Sequence, residues 1–388
     1  MQQAPPSEPT PVMPSLPSRP EEIPGIFDWF RRMREHHPVV LDERSGMPWW
    51  HVFRYEDVAT VLTDHARFSS QVFVFEGSPL SDTMLTKDPP DHRKLRSLVN
   101  LAFTPRAVAR LSDRIADMTR RLLDRVAANG EMDVVSDVAQ PLPAQVIAEM
   151  LGVPEADWGA VRDWARIDGG EPGTTGRMQA YFRDLLEARR RSPREDLVTA
   201  LSVAEVDGQR LSEKELVNFC CLLLIAGQET TKNLIANFFL TLSDHPEDQA
   251  RLVREPALVP TAIEEVLRTL PPVWFLMRRA TADVELAGVR VPAGHMVMPW
   301  MASANRDSTQ FPDADRFDVR RDPNRHLGFG HGVHFCVGAP LTRLEANVAL
   351  PMMLEQLGDL RVVRRDPIAI RAGVVFVIGN LPVTFRGK

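Results

Sequence analysis

Phe329-Gly330-His331-Gly332-Val333-His334-Phe335-Cys336-Val337-Gly338 is the stretch that decides the fold of this chain. It has the build of a loop that wraps one sulfur and presents it to a metal. Phe329 is an apolar lid. Gly330, Gly332 and Gly338 permit a positive φ or a close backbone approach where a side chain would collide. After Cys336 the pattern turns helical: Leu341, Leu344 and Val348 recur at threes and fours, and Pro340 is tolerated in a first turn. Cys336 therefore sits at or just before a helix N-terminus. Free N–H donors and the positive end of the helix dipole are expected to favour thiolate over thiol there.

Such a thiolate is a credible axial ligand for haem iron. The alternative is a buried structural cysteine in a Gly-rich turn. The loop resembles the haem-thiolate motif of the cytochrome P450 family, Phe-x-x-Gly-x-x-x-Cys-x-Gly, matching at Phe329, Gly332, Cys336 and Gly338. The continuation Ala339 to Glu345 is similar to the soluble bacterial members, which usually carry Ala where Thr342 stands.

Composition sets outer bounds. With 388 residues, 44% of them hydrophobic, the chain can bury a large core. A formal net charge of −6 argues against a nucleic-acid binder. Three cysteines, Cys220 and Cys221 adjacent, give no disulfide framework and suit a reducing cytoplasmic setting. Neither a signal peptide nor an apolar run long enough for a membrane span is visible. Residues 1–24 are proline-rich and read as an extended or disordered arm, and residues 25–388 as a single domain. The fold expected from the resemblance is the P450 fold, mainly α with small β regions, the haem sandwiched between a long central helix and the helix after the Cys loop.

That long helix is legible directly. Ser212 and Glu215 form a capping box, and the helical pattern runs to about Ser243 before His245-Pro246 ends it. Residues 219–226 are apolar all round, so the middle is buried. There stands Ala226-Gly227-Gln228-Glu229-Thr230-Thr231, a full match to the family's oxygen-activation motif. The residues alone allow two accounts. Thr230 bonds back to a carbonyl and Glu229 pairs elsewhere, or the helix distorts into an oxygen-sized notch edged by an alcohol and an acid.

Other assignments rest on the resemblance. His92 and Arg96, four apart and so on one helix face, match a clamp for a haem propionate, and Arg278 and His334 match the partners of the other propionate side. Ala226, Gly227, Phe329, Gly330 and Gly338 complete the haem surroundings, with Cys336 on the metal. Glu265 and Arg268 match the family's structural Glu-x-x-Arg, completed by Arg316. Phe73, Phe75, Trp274, Phe275, Leu276, Val375 and Phe376 are expected to line the substrate space. Thr230 and Glu229 are the expected catalytic pair for proton handling.

The resemblance implies a monooxygenase that takes O2 and a small hydrophobic substrate, with haem b as cofactor. Two cysteines besides Cys336 are too few for a four-cysteine cluster, and no built-in flavin or iron–sulfur module is expected. Electrons are then expected from a ferredoxin or flavodoxin with its reductase, with Arg93, Lys94 and Arg343 as candidate docking charges. Three rivals stand beside this: a peroxide-driven hydroxylase, a non-catalytic haem-binding scaffold, and a zinc site from His326, His331, His334 and Cys336.

Overall fold

A computed structural model describes residues 11–44, 46–72, 80, 83–164, 173–363 and 367–386. The helix Glu213–Ser243 runs through its middle. The capping box forms as its sequence predicts: Glu215 N–H donates to Ser212 Oγ, and Ser212 N–H donates to the Glu215 carboxylate. At 31 residues the helix is about 46 Å long. It has no break at Gly227, so the distortion of the notch account is absent. Gly227 serves a different purpose. A Cβ there would come within 2.6 Å of Ile147 Cδ1, so its absence lets the helix Pro141–Leu151 approach.

The helices Pro141–Leu151, Thr174–Arg191, Val259–Thr269 and Ala339–Leu357 pack around this central helix. Phe238, Phe239, Leu234 and Leu350 are among the residues sealed in the large core. A five-stranded sheet stands to one side, ordered Val39–Asp42, Trp49–Val52, Met296–Pro299, Arg278–Ala280, Phe68–Ser69. The Trp49–Val52 and Met296–Pro299 strands run parallel, and the other pairings are antiparallel. The sheet has its own apolar cluster, including Val52, Val58, Val61 and Val297. Arg278 heads one of its strands, and this sets the arginine on a rigid edge.

A hairpin pairs Val284–Leu286 with Val289–Val291. Ala287 and Gly288 both take positive φ, 48° and 79°, as a two-residue hairpin turn of matching twist requires. A 3-10 turn at Pro20–Glu22 leads into the first α-helix at Ile23, inside the span expected to be an arm, because Pro24 is tolerated in a first turn. Residues 11–19 run without helix or strand along the body: Met13 and Leu16 pack on the core, and Ile370 N–H donates to the Ser18 carbonyl.

Candidate active site

A cavity open to one side lies between the central helix and the Cys loop with its helix. Cys336, Gly338 and Leu341 form one wall, and Leu223, Ala226 and Thr230 the opposite one. Of the expected haem-side residues, His92, Arg96, Ala226, Gly227, Arg278, Phe329, Gly330, His334, Cys336 and Gly338 all line it, as does Thr230.

The Cys loop is built by its own backbone. Cys336 N–H donates to the Phe329 carbonyl at 2.9 Å, and Gly330 N–H to the Leu327 carbonyl at 2.8 Å. Gly330 and Gly332 take φ of 72° and 73°. A Cβ on Gly332 would also lie 3.0 Å from the Leu62 carbonyl oxygen and from Thr63 Cα, so glycine is needed there twice over. Arg343 stacks over Phe329 at 4.5 Å and forks onto Glu264. Burial would raise the Glu264 carboxyl, but bonds from Arg343 and His326 outweigh it and hold Glu264 at about 2.

The sulfur is not where the sequence alone places it electrostatically. Burial pushes the Cys336 thiol up, and the Gly338 and Ala339 N–H groups with Arg96 only partly offset this. Helix-start donors alone therefore do not outweigh burial at this sulfur. Among the described residues no group of three His, Cys, Asp or Glu side chains can hold a metal, which removes the zinc alternative there. His326 instead meets Glu264 at 2.9 Å, and His334 Nε2 meets Ser70 Oγ at 2.9 Å.

One edge of the cavity gathers positive charge. The His92 and His334 rings lie 4.1 Å apart, and Arg96 Nη1 donates to the Phe335 carbonyl at 2.7 Å. Burial, then Arg96, lowers His92 to about 4; burial, then Arg278, lowers His334 to about 3. Burial also lowers Arg278 to about 10. Asp88 is the acid that acts on both His92 and Arg278, and it is occupied by Ser69 Oγ at 2.5 Å and Ser70 N–H at 2.8 Å. His92 Nδ1 is buried with no partner among the described residues. Two guanidinium groups and an orphaned imidazole nitrogen suit a ligand carrying carboxylates. With one free thiol on the wall and an apolar remainder, the donor set fits haem.

The oxygen-side residues sit otherwise than the notch account expects. Thr230 Oγ1 donates to the Ala226 carbonyl at 2.7 Å, and the Glu229 carboxylate pairs with Lys232 at 2.8 Å, off the cavity. The other account, of a back-bonded threonine and a paired glutamate, is the one realised.

Two further expectations need correction. In the first, Arg316 does not complete the Glu265–Arg268 group. Its side chain is solvent-facing and only its carbonyl joins, accepting from Arg268. Arg321 takes that place, with Nε 3.1 Å from both Glu265 oxygens, and Asn324 adds a bond at 3.0 Å.

Next, Trp274 and Phe376 stack on one another at 5.0 Å inside the core, and Phe275 packs on Trp300 at 4.5 Å. Val375 bridges Val273 without reaching the cavity. Val273 lines the cavity, whereas Trp274 and Phe275 do not. Of the expected substrate wall Leu276 lines the cavity, joined by Met84, Leu222 and Val273. Phe73 and Phe75 lie outside the described residues.

Of the candidate docking charges, Arg343 pairs with Glu264, and Arg93 and Lys94 are exposed.

The sequence profile of the cytochrome P450 family matches residues 177–358. Erythromycin C-12 hydroxylase of Saccharopolyspora erythraea is 42% identical over 389 residues, covering 94% of this chain and 96% of that protein. The chain belongs to the cytochrome P450 family. Cyclomarin C epoxidase CymV of Salinispora arenicola is 43% identical, covering 87% of this chain and 90% of that one. The structure of CYP109Q5 from Chondromyces apiculatus superposes with a TM-score of 0.89 at 39% identity, covering 95% and 97%. CYP109E1 from Bacillus megaterium in complex with testosterone gives 0.87 at 36% identity, covering 93% and 99%. The fold is thus the P450 fold, mainly α with small β regions, and the enzyme is a haem-thiolate P450 monooxygenase. Among the described residues no helix is long and apolar enough to cross a membrane.

Proposed function

We propose that this P450 inserts one atom of O2 into a neutral or weakly polar hydrophobic organic molecule, by hydroxylation or epoxidation. The observation that carries this is the cavity with Cys336 on one wall and Thr230 on the other. Haem b, when bound, supplies the oxygen activation and the C–H or double-bond oxidation.

The chain's own residues do the rest. Cys336 would hold the iron, with Gly338 and Ala339 N–H groups steadying the sulfur. Arg96, Arg278, His92 and His334 would take the propionates. Met84, Leu222, Val273 and Leu276 exclude water and accept an apolar substrate. Thr230 would release the Ala226 carbonyl and turn its hydroxyl into the cavity to pass a proton. Glu229 would replenish that proton.

Electrons would come from a separate ferredoxin or flavodoxin with its reductase, in the cytoplasm. Arg93 and Lys94 are exposed cations on the helix that carries Arg96, which supports docking there. Relatives named as hydroxylase and epoxidase support the reaction class.

A panel of apolar compounds screened by the low-to-high-spin shift of the Soret band identifies substrates. Turnover of a hit under isotopically labelled O2 should place one labelled atom in the product. Product labelled from water instead would refute the proposal.

A further inference from the structure

Glu229 and Thr230 are chain neighbours, yet a helix turns about 100° per residue and sends their side chains apart. Thr230 lines the cavity, while neither Glu229 nor Lys232 does. The Glu229 carboxylate meets Lys232 Nζ at 2.8 Å, and the two side chains are 5% and 8% exposed. Spacing of three puts both on one helix face. Lys232 has no other hydrogen bond or ion pair among the described residues. The backbone beneath the pair is tied down as well. Asn233 Nδ2 donates to the Glu229 carbonyl at 2.7 Å, and Asn233 Oδ1 accepts from Ile378 N–H at 3.1 Å.

A buried ion pair is a poor device for stability, since an apolar pair of similar volume usually does as well or better. Its presence on the turn that carries Thr230 therefore points to a use. We infer that Lys232 is a positioning residue for Glu229, fixing the carboxylate on the flank of the central helix, one residue before Thr230 in the chain and off the cavity. The carboxylate cannot wander into the substrate space, because leaving Lys232 would strand a buried ammonium. It also cannot swing away from the Thr230 turn to bulk solvent. This rests on the reading of Thr230 and Glu229 given above, and it adds the residue that sets their geometry.

The test uses haem-loaded wild type, Lys232→Met, Lys232→Arg, Glu229→Gln and the double variant Glu229→Gln/Lys232→Met. Each is reduced through a surrogate ferredoxin and reductase without added substrate. Oxygen consumption is followed in ordinary and heavy water, and thermal unfolding is recorded alongside. Lys232→Met and Glu229→Gln should each slow oxygen consumption roughly a hundredfold, the low end of what losing a positioned acid costs. Both should alter the heavy-water ratio, and the double variant should be no slower than either single. Lys232→Arg should recover most of the rate.

In unfolding, the double variant should be more stable than Lys232→Met, which alone leaves the carboxylate buried and unpaired. Wild-type oxygen consumption and heavy-water ratio in Lys232→Met, with only the melting temperature lowered, would overturn the inference and leave the proposed function standing. A wild type without a thiolate-type carbon-monoxide band would overturn both.

Discussion

Arg321 Nε lies 3.1 Å from each carboxylate oxygen of Glu265, a fully buried acid that already holds Arg268 in a two-pronged bond. The group ties the helix Val259–Thr269 to the segment that runs into the Cys loop. Arg268 also donates to the carbonyls of Asn305, Ala314 and Arg316. Replacing Arg321 by alanine should therefore destabilise the protein by about 2 kcal/mol, the scale for losing hydrogen bonds to a charged group that Arg268 still neutralises. Arg316→Ala should stay within about 0.5 kcal/mol. Denaturant unfolding of the two variants decides the assignment; equal effects would contradict it.

Gly332 faces a double constraint, a φ of 73° and backbone atoms 3.0 Å from where a Cβ would sit. Gly332→Ala should lower the fraction of purified protein that carries haem, because the loop must shift to make room and Cys336 moves with it. The haem-to-protein absorbance ratio measures this. Gly330→Ala, whose Cβ would meet nothing closer than 3.9 Å, should lose less. Equal haem content in both would show that the close approach is unimportant.

These two sites show what could be read from residue order alone. The Cys loop and the capping box at Ser212 depend on spacing within a few residues, so each was legible. Arg321 was not. Arg316 and Arg321 lie in one irregular stretch, and only the folded path decides which guanidinium turns inward. Trp274 was misplaced for a related reason: an aromatic residue beside Leu276 suggests a substrate wall, while the pairing of Val273 with Val375 turns the indole onto Phe376. Lys232 carries no signal as a lone lysine in an apolar helix until its partner is seen.

Thr230 donates to the Ala226 carbonyl and lines the cavity. Thr230→Ala should keep the haem and the fold, since the lost bond is to a carbonyl already inside the helix. With a substrate in place, electrons should be diverted to peroxide and product per NAD(P)H should fall several-fold. Peroxide and product assayed on the same samples check this. Unchanged coupling would remove Thr230 from proton handling.

His51 offers a pH test away from the cavity. Trp300 Nε1 donates to His51 Nδ1 at 2.9 Å, so that nitrogen must be unprotonated. Burial lowers His51 to about 4, with Asp42 at 3.8 Å only partly opposing. In the unfolded chain His51 takes a proton near 6.5, and in the folded protein it resists until about 4. The stability it contributes is thus complete above pH 6.5 and is lost as pH falls toward 4, up to about 3 kcal/mol. His51→Asn, which can still accept from Trp300, should flatten this part of the stability–pH curve. An unchanged slope between pH 6.5 and 4 would contradict the assignment.

The bond from Cys336 to haem iron is tested most directly by the absorption of the reduced, carbon-monoxide-treated holoenzyme. Wild type should give the red-shifted Soret band of thiolate ligation, and Cys336→His should bind haem without that band. A folded, haem-loaded wild type lacking the band, or a Cys336→His variant that keeps it, would contradict the account.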